Sequence, residues 1–221
     1  DKLGGLGWQT RKARMKARVR EMAAELIRIA AARALGMHAI LVEDDHLGAF
    51  AELERLRGSR AIRAAYMPGS FANKELSDPS LFPIYEKCQE LDMPILLHPD
   101  QVAAALGANR LQPFYLANIL GNPFDTTIAV ANLVFGGVMD RFPRLKIVLP
   151  HAGGAVPYLF GRLQHGQEVR PEVKGKAQQP FEAYLRRFYY DTITHSPELL
   201  RFLIDRVGID RVMLGSDYCF D

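Results

Sequence analysis

Lys146-Ile147-Val148-Leu149-Pro150-His151-Ala152-Gly153-Gly154 is the stretch on which the fold turns. Ile147, Val148 and Leu149 form an apolar run too short for a helix and apolar at both alternate positions. Such a run predicts a strand covered on both faces, which is the mark of a parallel sheet. It ends in an imidazole, and the two glycines beyond let the backbone turn tightly and approach a ligand closely. Two further runs finish the same way. Pro94-Ile95-Leu96-Leu97 leads into His98, and Val212-Met213-Leu214-Gly215-Ser216 leads into Asp217.

Working outward, short apolar runs alternate with helical periodicity from about residue 38 onward. Strands are expected at 39–43, 62–66, 94–98, 146–150, 188–192 and 211–215, and helices at 47–57, 79–91, 126–142, 156–165 and 197–207. Alternating strands and helices of this length predict an α/β fold with a parallel sheet covered on both sides. A closed barrel needs eight strands, and an open piece leaves sheet edges that natural proteins avoid. The chain of 221 residues is also shorter than the roughly 250 typical of that fold. The expected fold class is therefore a (β/α)8 TIM-barrel type, incomplete, with the first strand region and the final helix missing or replaced; an open α/β sheet is the alternative.

Composition narrows the function classes. With 48% hydrophobic and 24% charged residues the chain is globular rather than disordered. Cys88 and Cys219 cannot form a disulfide framework, and no apolar run approaches the roughly 20 residues that span a bilayer. A reduced, cytoplasmic protein without a membrane segment is expected. The net charge of +3 is unevenly spread: residues 1–34 hold nine Lys and Arg against three acids, while the remainder is net acidic. Met15, Val19, Met22, Leu26 and Ile29 make a narrow helical seam there, and Arg11, Lys12, Arg14, Lys16, Arg18 and Arg20 crowd its first turns. Residues 1–34 therefore read as a basic amphipathic helical extension and 35–221 as the partial barrel. Contact of residues 10–34 with nucleic acid or an acidic partner competes with a plain solvated face.

In a parallel barrel every C-terminal strand end opens onto one face, so His98, His151 and Asp217 converge although 53 and 66 positions separate them. Imidazole nitrogen with carboxylate oxygen suits a divalent ion such as Zn2+. Each residue also has a structural reading: His98 as a hydrogen-bonded histidine, His151 as part of a strand-to-helix turn, Asp217 as a cap. Asp191 and His195 follow another strand and are weaker candidates. His38, Asp44, Asp45, His46 and His165 read as solvated or structural, and Cys219 lacks a neighbouring base that would make it a nucleophile.

Leu97-His98-Pro99, Gly121-Asn122-Pro123-Phe124-Asp125-Thr126-Thr127, His151-Ala152-Gly153-Gly154-Ala155-Val156-Pro157 and Gly215-Ser216-Asp217-Tyr218-Cys219-Phe220 together resemble the amidohydrolase superfamily. The similarity is closest to the aminocarboxymuconate-semialdehyde decarboxylase branch and covers about residues 60–221. The resemblance implies a distorted barrel with a catalytic divalent metal, usually zinc. His98 and Asp217 would bind it, and Asp217 and His151 would be catalytic. Arg162 would hold a substrate carboxylate in the neighbouring subunit of a homodimer, and Tyr115 and Phe220 would line the pocket. Tyr85, with those two, suggests a planar acid.

The implied function is decarboxylation of a small unsaturated or aromatic carboxylic acid, with His151 as proton carrier. A metal-dependent hydrolase or hydratase is the alternative, and an inactive fragment or fusion acting as an interaction module the second. The sequence departs from the pattern in one respect: it contains no His-x-His, the motif that supplies two further ligands in the superfamily. Weak, substoichiometric metal binding and negligible turnover of the chain as isolated are expected. Residues 2–34, in addition, resemble a linker of bacterial transcription-repair coupling factors, which implies a segment foreign to the barrel and contact of residues 10–34 with RNA polymerase.

Overall fold

A computed structural model describes residues 53–55, 57, 64–71, 74–99, 108–173 and 175–217. The expected strand 39–43, most of the helix 47–57, the basic extension, His38, Asp44, Asp45, His46, Cys219 and Phe220 lie outside them. Five strands, β1 (Ala65–Met67), β4 (Ile95–Leu97), β5 (Ile147–Leu149), β6 (Phe188–Asp191) and β7 (Val212–Met213), form one sheet in that order. Every neighbouring pair is parallel. A small antiparallel pair, β2 (Ser70–Phe71) and β3 (Lys74–Glu75), follows β1. Parallel strands in chain order with helical crossovers make the wall of a (β/α)8 barrel. That is the α/β class read from the sequence.

Among the described residues four longer helices cover the sheet: α1 (Phe82–Glu90), α2 (Asn122–Phe135), α3 (Val156–Val169) and α4 (Pro197–Val207). The start and stop of α4 are written in its sequence. The Ser196 hydroxyl accepts from the Leu199 N–H at 3.3 Å, Pro197 occupies the first turn, and Gly208 leaves the helix at a φ of 85°. The helix expected at 126–142 needs correction, because α2 begins earlier, at Asn122, and stops at Phe135. Gly136 and Gly137 break it, Gly137 with a left-handed φ of 76°, before a short turn Val138–Arg141.

Ile95, Leu97, Ile147, Leu149, Phe188 and Tyr190 point into one core with Val130, Leu133 and Val134 of α2. Tyr85 joins that core, and its hydroxyl donates to the Leu76 carbonyl at 2.7 Å. It is a packing residue, not part of a substrate wall, because its polar end is already satisfied inside. Among the described residues no helix is long and apolar enough to cross a membrane. Cys88 is fully buried on α1, and burial pushes its thiol up to about 12. In a Cys219→Ser background the native protein is therefore expected to react with a maleimide far more slowly than the urea-unfolded chain; equal rates would place Cys88 at the surface.

Candidate metal centre and active site

His98 stands one residue past β4, where its N–H continues the strand pairing by donating to the Met67 carbonyl at 3.0 Å. Its Nδ1 lies 3.1 Å from the Pro99 carbonyl. A carbonyl can only accept, so Nδ1 carries the proton, and the Nε2 lone pair faces Asp217 Oδ1 at 3.6 Å. His151 Nε2 lies 3.6 Å from the other carboxylate oxygen, and the two imidazole centroids are 5.7 Å apart. One ligand atom from each of the three residues falls within 4.8 Å of the others.

These separations test the fit of a divalent ion. At 3.6 Å the pairs are too long for good hydrogen bonds. They match two donors that each stand about 2.1 Å from a shared ion. Two imidazoles and one carboxylate fit Zn2+ or Mn2+. The His151 Nδ1 is buried with no hydrogen-bond partner among the described residues. Burial holds the His151 pKa below its ordinary value, opposed by the neighbouring carboxylates of Asp217 and Asp191. At neutral pH its ring is therefore mostly neutral.

The turn carrying His151 is unusual. His151, Ala152, Gly153 and Gly154 all have positive φ, at 52°, 55°, 80° and 63°. Non-glycine residues in that region cost about 1–3 kcal/mol each and persist only where the surroundings hold them. Asp191, at the end of β6, supplies the hold: its carboxylate accepts from the N–H groups of His151 and Ala152 at 3.0 and 2.8 Å. On the other side the Thr127 hydroxyl donates to the Pro123 carbonyl and accepts from the Ala155 N–H, at 2.8 and 2.9 Å. Asp191 was only a weak sequence candidate, and Thr127 none at all, since each acts on backbone brought near by the fold. A carboxylate at a buried strand end was the signal available.

Below the three donors lies a cavity of about 510 Å³, walled by Ile119, Pro157, Tyr158, Leu199 and Phe202. His151 and Asp217 line it, as does Tyr115, which is 67% exposed at its rim. Asn118 and Asn122 join the wall from a π-turn, Ala117–Gly121, and from the start of α2. His195, at a φ of 52°, also reaches the wall. Arg162 is exposed on α3 and is not among the cavity-lining residues. His165 is likewise an exposed α3 residue.

Comparison with known proteins bears on what such a site does. The model of the amidohydrolase family matches residues 5–221. 2-Amino-3-carboxymuconate-6-semialdehyde decarboxylase of Dictyostelium discoideum is 38% identical over 155 residues, 69% of this chain and 42% of its own length. Among solved structures, the apo form of Metarhizium anisopliae IDCase superposes with a TM-score of 0.71 at 29% identity, covering 81% of this chain and 50% of that one. A dihydroxybenzoic acid decarboxylase from Polaromonas, with bound manganese and 2-nitroresorcinol, gives 0.69 at 25% identity, covering 80% and 57%. The chain thus spans about half the length of these relatives. It belongs to the amidohydrolase family, and its relatives lie in the branch of aminocarboxymuconate-semialdehyde decarboxylase.

Proposed function

We propose that the site is that of a metal-dependent decarboxylase for a small unsaturated or aromatic carboxylic acid. The observation that carries this reading is the convergence of His98, His151 and Asp217 above an apolar cavity. Decarboxylase relatives, one with bound manganese, support it. His98 and Asp217 would hold a divalent ion, with manganese as strong a candidate as zinc. When bound, the ion draws electron density from the acid and stabilises the negative charge that develops on carbon.

The chain's own residues do the rest. The apolar wall formed by the stacked rings of Tyr158 and Phe202, with Ile119 beside them, takes a planar, conjugated acid. As the bond to the carboxyl carbon breaks, carbon dioxide leaves and the electron pair stays on the remaining carbon. His151 takes up a proton, carries it as imidazolium beside the Asp217 carboxylate, and delivers it to that carbon. Tyr115 and Phe220 belong to the pocket in this reading, and the substrate enters past Tyr115. Arg162, exposed and off the cavity wall, suits a role in a neighbouring copy, where a homodimer would let it hold the substrate carboxylate bidentately.

The test is a carbon dioxide release assay on the purified protein with unsaturated and aromatic acids, before and after Mn2+ or Zn2+ is added in excess. As isolated, the protein should carry less than one metal per chain and turn over negligibly. Addition of the ion should bring turnover, and His98→Ala should weaken Mn2+ binding about tenfold or more. Water added to or across the substrate, with no carbon dioxide released, would favour the hydratase or hydrolase reading instead.

A further inference from the structure

We propose that Asp191 is a positioning residue whose carboxylate holds the left-handed turn that aims the His151 ring at Asp217. Asp191 ends β6, is 8% exposed, and is neither a cavity-lining residue nor one of the three donors. A buried carboxylate needs hydrogen-bond donors. This one takes three, all backbone: His151 N–H at 3.0 Å, Ala152 N–H at 2.8 Å and Ile193 N–H at 3.0 Å. Hydrogen bonds to an ionised acceptor are roughly twice as strong as neutral ones. Two of the three fall on the two consecutive non-glycine residues with positive φ in the turn, where strain must be held.

The same group also governs the approach of the Asp217 loop. A Cβ on Gly215 would stand 2.6 Å from the Asp191 Cβ, so the loop passes directly against Asp191 only because residue 215 has no side chain. Next to it, the Thr192 hydroxyl donates to the Gly215 carbonyl at 3.3 Å and accepts from its N–H at 3.2 Å. One strand end thus braces both the turn of His151 and the loop of Asp217. Without the Asp191 charge the turn relaxes toward negative φ, and the His151 ring leaves its place opposite Asp217.

The proposal rests on His151 as the acting imidazole, and its test reads ring position independently of turnover. Protein labelled with 13C at histidine Cε1 is compared as wild type, Asp191→Ala, Asp191→Asn and Val207→Ala, the last a buried residue at the end of α4 that does not line the cavity. The His151 signal is assigned by its loss in His151→Gln. In Asp191→Ala and Asp191→Asn it should move toward the signals of exposed rings such as His165. In Val207→Ala it should stay, whatever the loss of melting temperature. If Asp191→Ala does not fold, the isosteric Asp191→Asn decides. An unmoved His151 signal in a folded Asp191 variant overturns the proposal. Where turnover is measurable, kcat should fall about tenfold to a hundredfold with KM nearly unchanged. Absence of any decarboxylation with the wild type counts against the assigned reaction, while the ring signal still decides the role of Asp191.

Discussion

His151→Gln is expected to lower carbon dioxide release about 10²–10⁴-fold, the span that a positioned proton carrier contributes, while Mn2+ affinity stays within a few fold. The two readouts together separate the roles that the geometry allows this ring. Its Nε2 stands 3.6 Å from Asp217 and belongs to the cluster of three donors, so it could serve as a ligand as well as a carrier. As a carrier it leaves the ion behind when it is replaced. Isothermal titration with Mn2+ beside single-turnover kinetics makes the distinction, and a parallel loss of both would make His151 the third ligand. The lowered pKa agrees with the carrier role, since a ring that is mostly neutral at neutral pH is ready to accept a proton.

The second large effect is structural. Gly154→Ala should destabilise the protein by about 3 kcal/mol or more, a loss assigned to strain at a special backbone conformation. For a chain of this size that lowers the melting temperature by roughly 6–12 °C. Residue 154 has a φ of 63°, and a Cβ there would run into the Pro123 carbonyl and stand 2.9 Å from the Thr127 hydroxyl. Neither neighbour can give way easily, because the Pro123 carbonyl and Thr127 hydroxyl are already bonded to each other. Thermal unfolding by circular dichroism checks it. A change under 2 °C would mean that the turn adapts and that Gly154 is not required.

Much of this architecture was legible because it depends on neighbours in the chain. The strands at 95–97, 147–149 and 188–191 declare themselves as apolar runs, and α4 through Ser196, Pro197 and Gly208. His98, His151 and Asp217 could be brought together from sequence because a parallel sheet puts all its strand ends on one side. The break at Gly136-Gly137 was missed, since apolar periodicity runs on through Val138 and Met139 and masks the change of direction. Asp191 stayed in the background for a different reason. Its partners are backbone N–H groups, which carry no residue identity, and two of them lie 39 and 40 positions away.

The bracing of residues 151–154 also fixes an order of events at the ribosome. The turn leaves the exit tunnel well before Asp191 does, and it emerges with Thr127 alone in place to grip it. Until β6 is made and docks beside β5, the Asp191 carboxylate is not there to offset the positive φ of His151 and Ala152. The imidazole is therefore expected to take its final aim late, with the β5–β6 pairing that brings Asp191 beside it. A nascent chain arrested before residue 191 would carry the complete β5 sequence and still lack a site.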